Sequence, residues 1–484
     1  MTKSLSKAIA LATLVGVSAS AHAMNINQDG LGEVLLYSLY TTEEGNNTNI
    51  RITNTTEHAK AVKVRFVEGQ NSHEVLDFNL YLSPYDQWSG AITQTEDGAK
   101  LLTRDLSCTA PTIPAGGQAF RDYDYKGKGG EQGLARTRVG HIEVIEMGVL
   151  NSELSALVTA DHEVAGSAPA DCAAINAKFK NPSDAWYDSV ANSMPPKVTP
   201  DLQDGILTEI NGERVTGGLY GSANIINVED STQIAYSAVA IDNFLSDSVH
   251  AWTGSNEPNL KSTQAFDVNF KNGKSATYQD GSEAVSALLM KESISNDFVL
   301  ADALAAETNW VITFPTKRFH VDTDPASAPF VNGWKKTGTG ADAIWGACHA
   351  VSMSYWDHEE YEPAGALGDI DFSPMPPQGE KPTTNICYET NILTFNESKV
   401  LGGEFVNYNV NLPAEYQQGW MNINFSESQV LTPVVGDAGT EEITGLPVIG
   451  FSATTIKNNS ANQFNAVRNY GSSLEHKAKT TVDH

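Results

Sequence analysis

Three runs between Tyr37 and Trp88 decide the fold: Asn49-Ile50-Arg51-Ile52-Thr53-Asn54, Ala61-Val62-Lys63-Val64-Arg65-Phe66, and Phe78-Asn79-Leu80-Tyr81-Leu82-Ser83-Pro84-Tyr85-Asp86-Gln87-Trp88. In each, apolar side chains recur at every second position, the period at which a strand turns one face inward. Ser83-Pro84-Tyr85-Asp86 reads as the turn that closes the third run. Just upstream, Val34 to Tyr40 is apolar almost throughout and reads as a strand buried on both faces. Short strands this close together, separated by Gly, Asn and Thr turns, predict a sandwich.

The pattern extends outward in both directions. Gly116-Gly117 and Gly129-Gly130 bracket an irregular polar stretch, after which Val139 to Leu150 returns to strand character. Pro195-Pro196-Lys197-Val198-Thr199-Pro200 reads as a linker, and beyond it Leu219 to Val228 and Ile234 to Ile241 predict a hairpin-like unit. Helix signals are few. Ala284, Val285, Leu288 and Leu289 share one helical face behind Ser282, and Phe298, Ala301, Leu304 and Ala305 do the same behind Asn296. A short helix is also expected over Ala170 to Lys178. Trp310 to Phe314 reads as a buried strand ended by Pro315, and strands resume at Val406 to Leu412 and Trp420 to Phe425. The predicted class is mostly β: Ig-like β-sandwich domains with a small helical insertion near 282–308. The expected division is a sandwich over 24–165, an irregular linker region over 166–200, and a β-rich domain over 201–484 that contains the insertion and a Pro-rich loop. No fixed-period repeat is present, so a solenoid is not expected.

Residues 1–23 read as a signal peptide. Lys3 and Lys7 form a positive start, Ala8 to Ala23 carries no charge, and Ala21-His22-Ala23 is an A-x-A cleavage pattern, so the mature chain is expected to begin at Met24. The run is too short and mildly apolar to cross roughly 30 Å of hydrocarbon. No later stretch reads as transmembrane. Export to the periplasm, the cell surface or the medium follows.

The full chain has 31 Lys and Arg against 59 Asp and Glu, a net charge of −28, although charged residues make up only 19%. The acidity comes from missing bases, since an average protein carries roughly 25% charged residues. That excludes nucleic acid and anionic membranes as expected partners, because both are held by clustered Lys and Arg. In an oxidising compartment the four cysteines, Cys108, Cys172, Cys348 and Cys387, are expected to pair. Three pairings are open, and the shortest loops join Cys108 to Cys172 and Cys348 to Cys387. Each bond would constrain the unfolded chain by roughly 4 kcal/mol. The second would enclose Pro363, Pro374, Pro376, Pro377 and Pro382.

The block from Tyr37 to Trp88 resembles exported proteobacterial proteins described only as cell-surface or hypothetical. The resemblance continues through Gly218-Leu219-Tyr220-Gly221, Trp310 to Phe319, Cys348 to Tyr355 and Gly445 to Phe451. It implies export and a surface role but no particular activity. The opening block is also similar to the first strands of Ig-like sandwiches in general, periplasmic pilus chaperones included.

G-x-S-x-G, H-E-x-x-H and Walker A patterns are all missing, which removes the legible forms of three hydrolase classes and makes a non-enzyme the leading expectation. The nearest chemical cluster is Tyr355-Trp356-Asp357-His358-Glu359-Glu360-Tyr361. Aromatic faces beside carboxylates suit sugars, and a carboxylate pair can hydrolyse a glycosidic bond. The competing reading is a strand with aromatics inward and charges in solvent. Asp122-Tyr123-Asp124 with Gly127, Asp322-Thr323-Asp324 and Asp369-Ile370-Asp371 have the D-x-D spacing of structural Ca²⁺ loops. None completes an EF-hand, and no other metal or cofactor is expected.

The leading expectation is therefore a secreted bacterial envelope or cell-surface protein that acts by binding, adhesion or structural assembly, with other surface proteins, a glycan or its own copies as partners. The alternative is a carbohydrate-binding protein or glycan-active hydrolase built on Trp356, Asp357, Glu359 and Glu360. An outer-membrane barrel ranks last, because the strands are short and helices intervene.

Overall fold

A computed structural model describes residues 23–161, 164, 166–179, 202–323, 325–337, 344–359, 383–425, 428–458 and 468–482. The signal segment up to His22, the Pro195 to Pro200 linker, the proline-rich loop from Glu362 to Pro382, and Glu360 and Tyr361 lie outside these residues. Strands outweigh helices by 45% to 9%, so the fold is mostly β, as expected.

The alternating runs form the first sandwich. Its eight-stranded sheet runs Asn25–Ile26, Val239–Asp242, Val34–Thr41, Val139–Leu150, Lys60–Glu68, Glu74–Leu82 and Cys108–Ala110, with Ile206–Leu207 added beside Val139–Leu150. Facing it is a six-stranded sheet in the order Thr232–Ser237, Leu219–Asn227, Asn46–Asn54, Gln87–Gln94, Ala99–Leu102 and Gln118–Ala119. All these pairings are antiparallel. Ile50 and Ile52 point into the core beside an exposed Arg51, and they meet Leu35, Tyr37, Val62, Val64, Phe78, Leu80 and Trp88 from across the sandwich and along it. Tyr37 crosses between the sheets to donate its hydroxyl to Arg51 O at 2.7 Å. It can do so because Gly221 lies over the ring, where a Cβ would collide with the phenol oxygen.

The second sandwich packs two five-stranded sheets. One runs Thr383–Ile386, His349–Asp357, Gln418–Asn424, Ser293–Val299 and Lys477–Lys479; the other runs Asn407–Val410, Thr390–Phe395, Ala306–Thr313, Phe451–Asn458 and Arg468–Glu475. Ile294, Phe298, Trp310, Ile312, Met353, Phe395, Met421 and Ile423 fill the space between them. Trp310 ties the layers by donating Nε1–H to Asp297 O at 3.0 Å.

The expected division at 166–200 does not divide the sheets. Leu219–Asn227 pairs with Asn46–Asn54 along its whole length, and Val239–Asp242 lies between Asn25–Ile26 and Val34–Thr41. Composition marks a linker but carries no information about which strands later rejoin a sheet. The first core also extends into the second sandwich through Val311, Ile392, Leu401, Phe451 and Ala453.

The helical insertion is smaller than expected. Gly281–Leu289 is a helix, capped by Asp280 rather than Ser282, with the Asp280 carboxylate accepting Glu283 N–H at 3.0 Å. The segment expected as a second helix is the strand Ser293–Val299, followed by the single turn Asp302–Leu304. Ile294 and Phe298 sit on the inward face of a strand paired with Gln418–Asn424, whereas Leu304 is exposed; tertiary pairing overrides the accidental helical spacing. The helix expected near Ala170 to Lys178 is present as Cys172–Lys178. Both disulfides have the short-loop pairing, Cys108 to Cys172 and Cys348 to Cys387. The first staples that helix to the edge strand Cys108–Ala110.

The outer face of the eight-stranded sheet is not solvent. One part is covered by Phe244, Leu245, Leu260 and the helix 281–289, another by Leu154, Val158, Ile175 and Phe179. Lys60, Lys63 and Arg65, which alternate with the core valines, are consequently buried and paired. Lys60 meets Glu146 at 2.8 Å, Lys63 meets Asp77, and Arg65 is held by Glu74 at 3.0 Å and by Glu143.

Candidate functional site

The aromatic and acidic cluster sits at the end of the strand His349–Asp357, and alternation sorts its members. Tyr355 points inward, 4% exposed, with its ring edge-on to Tyr416 at 5.0 Å. Trp356 points to the outer face. Directly opposite on the next strand is Trp420, and the two indoles stack with centroids 4.1 Å apart and planes 17° from parallel. Trp420 is 41% exposed. An indole pair left open to water on a sheet face is unusual enough to suggest a ligand.

Strand register sets the polar surroundings of the pair. Asp297, exposed, is opposite Trp420 on the far side from Trp356. One row along the same face come Ser354, Asn422 and Ser295, then Ser352, Asn424 and Ser293. Asn422 donates its amide to Ser295 Oγ at 2.9 Å, which orients its carboxamide. Lys477 and Lys479 continue these rows at the edge. The result is a flat aromatic platform bordered by a carboxylate, amides and hydroxyls. Apolar C–H faces of a pyranose suit the indoles, and its hydroxyls suit the polar border.

The acids are arranged less well for hydrolysis. Asp357 accepts Glu359 N–H at 2.9 Å, so it caps the turn that ends the strand. General acid work requires a desolvated carboxyl, but Glu359 stands in water with its side chain 78% exposed, 3.7 Å from His358, which is also exposed. Glu360 and Tyr361 lie outside the described residues. Of the six residues expected at this site, the structure places Trp356 on the outer face, Asp357 and Glu359 at the turn that ends the strand, and Tyr355 in the core. Sequence reading missed Trp420, Asp297 and Asn422, which are adjacent only after strand pairing. Period-2 alternation around Met421 and Ile423 was the available signal for Trp420.

The strongly shifted titratable groups lie elsewhere, sealed between layers. Burial pushes the Glu389 carboxyl well up despite a hydrogen bond from Ser72 Oγ at 2.6 Å, and burial brings Lys317 down to about 7 against the pull of Glu389. Both are at most 1% exposed, so no substrate reaches them in this conformation. A cleft of about 720 Å³ opens between the sandwiches beside Leu36, Val239, Leu288 and Phe451, and none of the aromatic–acid residues lines it.

The first calcium candidate is already occupied by protein cations. Burial works to raise Asp124, but hydrogen bonds from His73 and Lys128 and the charges of His73 and Arg318 outweigh it and hold the carboxyl well below the usual range. Asp322 is engaged by Asn71 at 3.0 Å and Arg318 at 3.7 Å. Asp324, Asp369 and Asp371 lie outside the described residues. Among the described residues no group of three or more His, Cys, Asp or Glu could hold a metal ion.

Comparison with protein-family models, with curated proteins and with solved structures gives no match. The reading of the site therefore rests on its geometry.

Proposed function

We propose that this is an exported, non-catalytic binding protein of the bacterial envelope or surface, and that it holds a glycan across the Trp356–Trp420 face. The observation that carries the proposal is the water-exposed, stacked cross-strand indole pair bordered by Asp297, Asn422 and Ser354. A flat platform suits an extended polysaccharide better than a small molecule enclosed in a pocket. Hydrolysis is the weaker reading, because Asp357 serves a turn and Glu359 is solvated. Two disulfides support an oxidising destination. Among the described residues no helix is long and apolar enough to cross a membrane.

The test is binding of the purified chain to a panel of neutral and acidic polysaccharides, followed by indole fluorescence. Trp356→Ala and Trp420→Ala should each weaken binding at least tenfold while circular dichroism is unchanged. Absence of binding to any polysaccharide by the wild type would overturn the proposal, as would full binding by the double variant.

A further inference from the structure

Two lysine–carboxylate pairs are buried under the cover of the eight-stranded sheet, and they differ in a way that charge alone does not explain. Lys60 Nζ donates to Glu146 Oε1 at 2.8 Å, and Glu146 Oε2 accepts Gly217 N–H at 2.9 Å. That pair is an ordinary satisfied ion pair. Lys63 and Asp77 are in closer contact, with side chains 0% and 10% exposed, yet the contact lacks hydrogen-bond geometry and neither Lys63 Nζ nor Asp77 Oδ2 has another hydrogen-bond partner. A buried ammonium has three donors to satisfy, and leaving them unpaired is costly. The arrangement is poor for an ion pair but suits two atoms about to share a bond.

We propose that Lys63 and Asp77 are joined by an amide between Nζ and Cγ, a covalent cross-link between adjacent strands. Strand register supplies the approach. Lys63 lies opposite Asn79 and Arg65 opposite Asp77, so Asp77 is the diagonal neighbour of Lys63 on the same face. Transfer of one proton from the ammonium to the carboxylate gives an amine and a carboxylic acid. The Nζ lone pair then forms the bond to Cγ. The C–OH bond breaks, and its oxygen leaves as water with a proton from nitrogen. The pair loses one water and no net charge, and no oxidant or activating group is required.

The surroundings provide what this step needs. Arg65, held by Glu74 at 3.0 Å and by Glu143, puts its charge beside Asp77, where it can stabilise the oxyanion formed during attack. Glu74 lies in the same group and interacts with both Asp77 and Lys63; burial first, and the Asp77 charge second, push its carboxyl up, so it can hold and return a proton near neutral pH. His250, also buried near Lys63, is kept neutral by burial and adds no competing charge.

The test is the intact mass of the purified protein with its two disulfides. The expected mass is one water below that calculated for the chain from its observed N-terminus with both disulfides formed, and digestion should yield a branched peptide joining Lys63 to Asp77. Lys63→Arg should show the full mass. Glu74→Gln should show the full mass or lose water far more slowly. A wild type at full mass with separable peptides would overturn the cross-link. A loss of one ammonia with a branch at Asn79 would overturn the assignment of Asp77, and unhindered water loss in Glu74→Gln would overturn the role of Glu74.

Discussion

His476 shows what burial does to a single side chain here. Its Nε2 faces Val311 O at 2.8 Å and its Nδ1 faces the Asn296 amide at 2.9 Å, so one ring nitrogen donates and the other accepts, the pattern of a neutral imidazole. Burial lowers its pKa to about 4, against the opposing hydrogen bond to Val311. Between pH 6.5 and about 4 the unfolded chain binds this proton and the folded chain does not, so stability falls as pH falls through that window. His476→Gln removes the term. The slope of unfolding free energy against pH should decrease by about 1.4 kcal/mol per pH unit there, measured by urea titration at several pH values; an unchanged slope would show that His476 does not titrate this way. The same scrutiny of single positions explains what was legible at the candidate site. The strand with all aromatics inward is corrected at Trp356: neighbouring positions on a strand face opposite ways, so with Tyr355 in the core Trp356 is on the outer face. Burial of Lys63 and Arg65 could not be read from alternation, which separates two faces of a strand without saying whether the second face is water or a second layer.

Among the secondary-structure elements, the strand His349–Asp357 carries Trp356 at one end and the Cys348–Cys387 bond at the other. His349 is paired with Ile386, so the disulfide closes the ladder at the residues immediately next to its last rung. Replacing both cysteines by serine should reduce stability by roughly 2–4 kcal/mol, seen as a lower urea midpoint, while the Trp356–Trp420 register, fixed by the six pairs from Ser352–Asn424 to Asp357–Gly419, is retained. A loss under 1 kcal/mol would mean that sheet pairing already holds this end. Elements with an alternating apolar core, such as Val62, Val64 and Phe66 in Lys60–Glu68, were legible because the pattern is set by local geometry. Ser293–Val299 was not. Phe298, Ala301 and Leu304 mimic a helical stripe, and the deciding partner strand lies more than a hundred residues further along.

At the level of the assembled chain, the sandwiches are interdependent. Thr41 Oγ1 donates to Leu401 O at 2.9 Å, Asn46 Nδ2 to Val400 O at 3.0 Å, and Thr313 Oγ1 to Ser38 O at 2.6 Å, alongside the shared apolar cluster. A fragment ending at residue 200 would lack four strands of the first sandwich, and we predict that it fails to fold: rapid proteolysis and no cooperative melting, against a single cooperative transition for the intact protein. A stable 24–200 fragment would contradict this. The order in which strands leave the ribosome has a further consequence. The first sandwich waits for Val239–Asp242, and the second for Lys477–Lys479, which completes the sheet beside Ser293–Val299. Asn25–Ile26 has no partner strand until Val239–Asp242 is made, and each sandwich stays open at one edge until its last strand leaves the ribosome, a delay in closure that would favour the proposed export of an unfolded chain.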